Sequence, residues 1–140
     1  MRIMERDNRS VKQGITLLLV AILYACTANA QQYTKWVAPP DADKMINPLE
    51  GNKEVLNNAH IIYNKLCSPC HGYKGKGDGP VAFVLNPKPA DHTSVQVQSE
   101  TDGAIFWKLT TGRGQMESYG TKLTEQQRWS IVNYIRTLKN

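Results

Sequence analysis

Two cysteines and a histidine fall within five consecutive residues, Cys67-Ser68-Pro69-Cys70-His71, and no other feature limits the chain so narrowly. Thiols three positions apart on a helical turn share one side of it. Both can reach one edge of a porphyrin and form thioethers with its vinyl groups. The next residue is then carried under the macrocycle, where an imidazole can bind iron. A Cys-x-x-Cys pair can also be a redox disulfide or half of a zinc site. Zinc needs a second pair of Cys or His at ligand spacing, and the only other thiol is Cys26. A thioredoxin-like pair sits in a βαβ context, whereas a glycine-rich loop follows here. The stretch therefore reads as the attachment site of one c-type haem, with Cys67 and Cys70 as thioether residues and His71 as an axial ligand.

Residues 1–30 have the organisation of an export signal. Arg2, Arg6, Arg9 and Lys12 form a basic start, Ile15 to Ala25 is an apolar run, and Ala28-Asn29-Ala30 is a small-x-small cleavage site. The run falls short of the about 20 residues that span a bilayer. Cleavage after Ala30 predicts a mature chain that begins at Gln31 and is released into the periplasm. In a second reading Leu23-Tyr24-Ala25-Cys26 is a lipoprotein processing box and Cys26 becomes the lipid-anchored first residue. Tyr24 is large for that position, and soluble release is preferred. Both readings export the chain to the side of an energy-transducing membrane where haem is attached to such motifs.

Beyond the signal, the chain is long enough for one small domain. The formal charge of +5 is a mild excess spread along the sequence, with no basic stripe interleaved with aromatics, so nucleic acid is not an expected partner. With Cys26 outside the domain, no disulfide framework compensates for a small core, and the haem is expected to supply that compensation.

Residues 31–51 contain Pro39, Pro40 and Pro48 and read as an extended lead-in, with Trp36 and Val37 packing on the domain surface. The domain itself is expected over 52–140. Val55, Leu56, Ala59, Ile62, Tyr63 and Leu66 recur at helical spacing behind Asn52, a candidate N-cap, and this helix runs into Cys67. Gly72 to Pro80 must be a loop, without the strand and Gly-Lys-Ser/Thr helix start of a phosphate-binding loop. A helical turn is expected at 80–85 and irregular chain at 91–98. A second helix is expected from Thr101 to Thr110, ended by Gly112, and a third from Thr124, where Gln127 completes a capping box, to Leu138. The fold class is all-α, three to four short helices around one haem.

Iron held by His71 needs a second axial partner or an open site. Met1 and Met4 leave with the signal, and Met45 lies in the proline-rich lead-in. Met116 sits in the glycine-flanked loop Thr111-Gly112-Arg113-Gly114-Gln115-Met116, where the chain can drape over a haem face. A lone Met is often core filler, but this loop has no core stripe to fill. Met116 is the expected ligand, His92 is its rival, and His60 reads as a surface residue. A thioether favours ferrous iron and raises the potential. With both axial positions filled, the site changes charge by one electron and transforms no substrate.

At this point the chain resembles a class I (monohaem, His/Met) bacterial cytochrome c over residues 52–140. Tyr63 matches the aromatic of the motif helix, and Trp129 and Tyr134-Ile135-Arg136 match the C-terminal helix that crosses it. Ala59 stands where the family has Gly, which implies a slightly wider crossing, and Glu117 stands where Pro usually follows the ligand Met. Pro80 matches the Gly-Pro whose carbonyl accepts the axial histidine's Nδ1–H. The likeness is greatest to monohaem cytochromes of periplasmic respiratory complexes, including the cytochrome subunit of quinol-oxidising alternative complex III. It implies an electron carrier whose partners are other redox proteins, extending to a membrane respiratory complex with peripheral membrane association. Lys74 and Lys76, just after the motif, would then steer an acidic partner, or else be plain solvated loop lysines. The competing classes are a haem enzyme, which needs an open iron and distal acid/base groups, and a gas sensor from which Met116 is displaced.

Overall fold

The computed structural model describes residues 35–139, so the expected signal peptide, its cleavage site and Cys26 lie outside the described residues. Five helices are present among the described residues: α1 Leu56–Leu66, α2 Ser68–His71, α3 Val95–Gln98, α4 Asp102–Thr111 and α5 Glu125–Thr137, with 3-10 turns at Ala42–Lys44 and Ala82–Val84. No strand occurs among the described residues, and the fold is all-α, as expected. None of these helices is long and apolar enough to cross a membrane.

Local chemistry sets the helix ends. Thr101 Oγ1 accepts from Ala104 N at 3.0 Å at the start of α4. Thr124 and Gln127 form the expected reciprocal capping box at α5. Gly112, with φ 64°, terminates α4 in a conformation that favours glycine. The start of α1 departs from expectation. Asn52 Oδ1 accepts from Glu54 N at 2.9 Å, a local turn that uses the oxygen a cap would need, and the helix begins at Leu56 behind Val55. Residues 91–98 are less irregular than expected, because Ser94 Oγ accepts from Val97 N and caps the single turn α3.

The core forms where α1 and α4 pack on α5. Ala59 and Tyr63, one helical turn apart, are fully buried, as are Ile131 and Val132 of α5. Phe106 and Trp129 stack at 3.9 Å between α4 and α5, and the Arg128 guanidinium lies 5.1 Å over the Phe106 ring.

The lead-in is not simply extended; it folds back on the helices. Ala42 is 2% exposed against α4, where a Cβ on Gly103 would strike the Ala42 carbonyl. Asn47 Nδ2 donates to Asp102 Oδ2 at 2.6 Å and to Asn133 Oδ1 at 2.7 Å, while Asn133 Nδ2 donates to the Leu49 carbonyl at 2.5 Å. Arg136 Nε donates to the other oxygen of Asp102 at 2.7 Å. Chain before residue 52 is thus part of the packed unit, held by polar groups that leave no hydropathy pattern. Trp36 packs edge-on to Trp107 at 6.3 Å, as expected, but Val37 is 68% exposed.

Two substitutions in α5 separate capping from packing. Thr124→Ala should cost about 1 kcal/mol. Ile131→Ala, at a side chain with no exposure, should cost about 2–5 kcal/mol. Denaturant unfolding of the haem-loaded protein checks both, and equal losses would contradict this assignment of the α5 core.

Candidate functional site

Backbone hydrogen bonds on both sides of Cys67 carry the motif from α1 into α2. Cys67 N donates to Tyr63 O at 2.8 Å, and His71 N donates to Cys67 O at 2.8 Å. Cys67 and Cys70 therefore share one turn, and they form no disulfide, Cys67 being buried and Cys70 half-buried. Burial pushes the Cys67 thiol up to about 12, with Cys70 adding to the rise. Disulfide exchange needs the opposite, a thiol with lowered pKa. A metal cluster is also missing, since no three His, Cys, Asp or Glu side chains converge among the described residues.

His71 Nδ1 lies 2.9 Å from the Ala90 carbonyl. A carbonyl can only accept, so Nδ1 carries the hydrogen and Nε2 keeps its lone pair, the form that binds iron. Burial favours the same neutral form by lowering the His71 pKa, with the Ala90 bond working against it. The contact expected from Pro80 is thus made by Ala90 instead. Gly79 N donates to Cys70 O and Val81 N to Pro69 O, which pins Gly79-Pro80 against the end of α2. The chain returns ten residues later to meet the ring. Gly72 and Gly77, both at positive φ, make that return possible. A Cβ at Gly77 would lie 2.6 Å from the Pro89 carbonyl.

His92 stacks face to face on His71, with ring centroids 4.1 Å apart and an angle of 18° between planes. Its Nδ1 is hydrogen-bonded to the Tyr63 hydroxyl at 2.8 Å. Burial holds its pKa well below the usual histidine range, and His71 adds to the lowering. His60 is an exposed residue of α1, bonded to Asn64 and stacked on Tyr134.

Met116 is half-buried in a tight turn closed by Arg113 N to Met116 O at 2.9 Å and Met116 N to Arg113 O at 3.0 Å. One bond ties this loop to the end of α1 before the motif, and a second ties it to Asn86 further along the chain. Tyr119 Oη donates to the carbonyl of Leu66, the residue before Cys67, at 3.2 Å, and Asn86 N donates to Gln115 Oε1 at 3.1 Å. Met116 also packs on the buried cluster that contains Cys67 and Tyr119. Met45, the other thioether of the domain, lies instead against Gly103 at the start of α4.

The residues present fit a porphyrin. The turn Ala82–Val84 packs on α2, and Val81, Phe83 and Val84 beside it are 40%, 76% and 64% exposed. This exposed apolar strip, packed on the helix that bears Cys70 and ending two residues before Asn86, is the kind of surface a macrocycle covers. Ala90, Gln115 and Tyr119 went unread in the sequence. Ala90 acts through its backbone and has no side-chain signature. Tyr63 and His92 were visible singly, and the signal that they pair is that a buried phenol needs a hydrogen-bond partner.

Residues 55–135 match the family described as cytochrome c oxidase, cbb3-type, subunit III. The chain is 27% identical over 82 residues to a cytochrome c6 of Alaria esculenta, a match that covers 59% of this chain and 90% of that protein. A chain of the reducing HAO-like protein complex of Kuenenia stuttgartiensis is similar with a TM-score of 0.59 and 30% identity, over 66% of this chain and 47% of that one. This chain thus spans about half of the solved chain it resembles. The family match covers more than half of the sequence, and the protein belongs to the cytochrome c family as a monohaem class I member, an electron carrier with covalently bound haem c.

Proposed function

We propose that the protein is an exported one-electron carrier of a respiratory chain, with thioethers at Cys67 and Cys70 and with His71 and Met116 as axial ligands. The observation that carries this reading is the presentation of His71. Its Nδ1 is held by the Ala90 carbonyl at 2.9 Å, and its Nε2 lone pair is left over at the end of the turn that bears both thiols. When bound, haem c supplies an iron that exchanges one electron between ferrous and ferric states. Cys67 and Cys70 hold the macrocycle to the helix end, and the 81–84 strip shields it from water.

Met116 is favoured for the second axial position by elimination and by tethering. His92 lies side by side with His71, whereas two ligands of one iron meet it end-on from opposite faces. Met45 is packed at α4. The Met116 loop is tied both to the residue before Cys67 and to Asn86, just past the 81–84 strip. A soft thioether favours ferrous iron, and a filled sixth position leaves no vacancy for oxygen or peroxide. Export rests on the signal-like residues 1–30, with release favoured over a lipid anchor at Cys26. Partners are other redox proteins, including a membrane respiratory complex. Lys74 is exposed near the motif and suits an acidic partner, while Lys76 is shared with Thr93 at 3.4 Å.

The mass of the protein produced by a haem-attaching, exporting host tests the attachment. It should exceed the polypeptide by one haem and fall to the bare chain in Cys67→Ala/Cys70→Ala. A wild type at polypeptide mass would end the thioether assignment.

Met116→Ala tests the axial pair. Its reduction potential should drop by a sizeable part of the roughly 0.8 V that axial ligation spans. The sulfur-to-iron charge-transfer band of the oxidised protein should vanish, and carbon monoxide should bind the reduced form. A variant that keeps the band and stays closed to carbon monoxide places the sixth ligand elsewhere, with Met45 the next thioether to test.

A further inference from the structure

A carbonyl oxygen accepts a hydrogen bond over a broad range of angles, so the Ala90 contact alone defines the plane of the His71 ring loosely. His92 supplies the missing restraint by lying parallel to that ring at 4.1 Å. The His92 ring has little freedom of its own. Its backbone N donates to Gly75 O at 2.6 Å, its carbonyl accepts from Gln98 Nε2 at 2.6 Å, and its Nδ1 is bonded to the Tyr63 hydroxyl at 2.8 Å. The Tyr63 ring meets it edge-on at 5.8 Å and is itself fully buried, 4.9 Å from the Tyr134 ring of α5. The surround is closed, since a Cβ on Gly75 would lie 3.1 Å from His92 Cβ and 3.4 Å from the Tyr63 hydroxyl.

We propose that His92 is a positioning residue that sets the plane of the axial His71 imidazole, with Tyr63 as its anchor in the α1–α5 core. The inference rests on His71 being an axial ligand. The orientation of an axial imidazole plane selects which iron d orbital carries the unpaired electron in the ferric state. It thereby biases which edge of the porphyrin holds spin density and couples to a partner.

Proton NMR of the oxidised holoprotein reads this directly, because the order and spacing of the four haem-methyl resonances follow the axial ligand planes. In His92→Ala the methyl pattern should reorder or change spacing while the sulfur-to-iron band persists. In His92→Phe, which keeps a flat ring to stack, the pattern should stay closer to wild type. A His92→Ala pattern superimposable on wild type overturns the proposal, even if that variant melts earlier, since loss of stability alone marks a packing role. Should His92→Ala fail to retain haem, the isosteric Tyr63→Phe decides. A smaller displacement of the same resonances supports the anchor, and an unchanged pattern overturns it. A ferric wild type that lacks the hyperfine-shifted ring-proton signals of an iron-bound histidine would sink the axial reading of His71 and the role of His92 with it. A low-spin wild type indifferent to His92→Ala sinks the role of His92 alone.

Discussion

Tyr63 has no exposure to solvent and still has a hydroxyl to satisfy, and an unpaired polar group buried this deeply costs roughly 1–3 kcal/mol. Its partner, His92 Nδ1, comes from 29 residues further along. Burial also raises the phenol above the usual tyrosine range, so it stays protonated and the bond persists as a neutral one. This pairing dictates the path of the loop after the motif. The chain leaves His71 through Gly72, turns again at Gly75 and Gly77 with φ near 73°, and must bring His92 back to the α1–α5 core. Once His92 is seated there, Ala90 has little choice of position. The carbonyl that orients His71 is thus placed by a hydrogen bond formed two residues away.

The Met116 loop is held by a different balance of forces. Glu117, where the resemblance leads one to expect Pro, pairs with Lys122. Both side chains are more than half exposed, 53% and 54%, and such a pair contributes about 0–1 kcal/mol. It cannot replace the rigidity of a proline. The anchoring comes instead from the buried Tyr119, whose N donates to Leu109 O at 3.1 Å and whose hydroxyl reaches Leu66 O. The Arg113 guanidinium, 5.1 Å over the Trp36 ring, adds a contact from the lead-in.

The parts of this arrangement legible in the sequence are those whose signal is local. The motif is five residues long, the capping box at Thr124 acts within one turn, and the Ile131, Val132 and Ile135 stripe repeats at helical spacing. What stayed hidden depends on residues far apart in the chain. Asn47 reads as a turn former until Asp102 and Asn133 are seen to complete its amide, 55 and 86 positions on. The Pro80 assignment failed for a related reason. A backbone carbonyl carries no sequence identity, and which one meets the ring depends on loop geometry and not on residue type.

The two proposed ligands therefore differ in how securely the protein holds them. His71 is fixed by a carbonyl, a stacked ring and a covalent link through the turn that bears both cysteines, all backed by the fully buried α1–α5 crossing. Met116 depends on a half-buried loop in which Gln115 is exposed and the neighbouring ion pair is weak. Local opening follows the least buried contacts first. Disturbance of the domain thus reaches the thioether side before the imidazole side. While the loop is seated, a carrier of this kind can cycle with little movement of either ligand. If the loop opened, the proposed His71 ligation and the covalent attachment at the motif would still retain the haem, and closure would need only the return of Gln115 to Asn86 and of Met116 to its packing on the cluster of Cys67 and Tyr119.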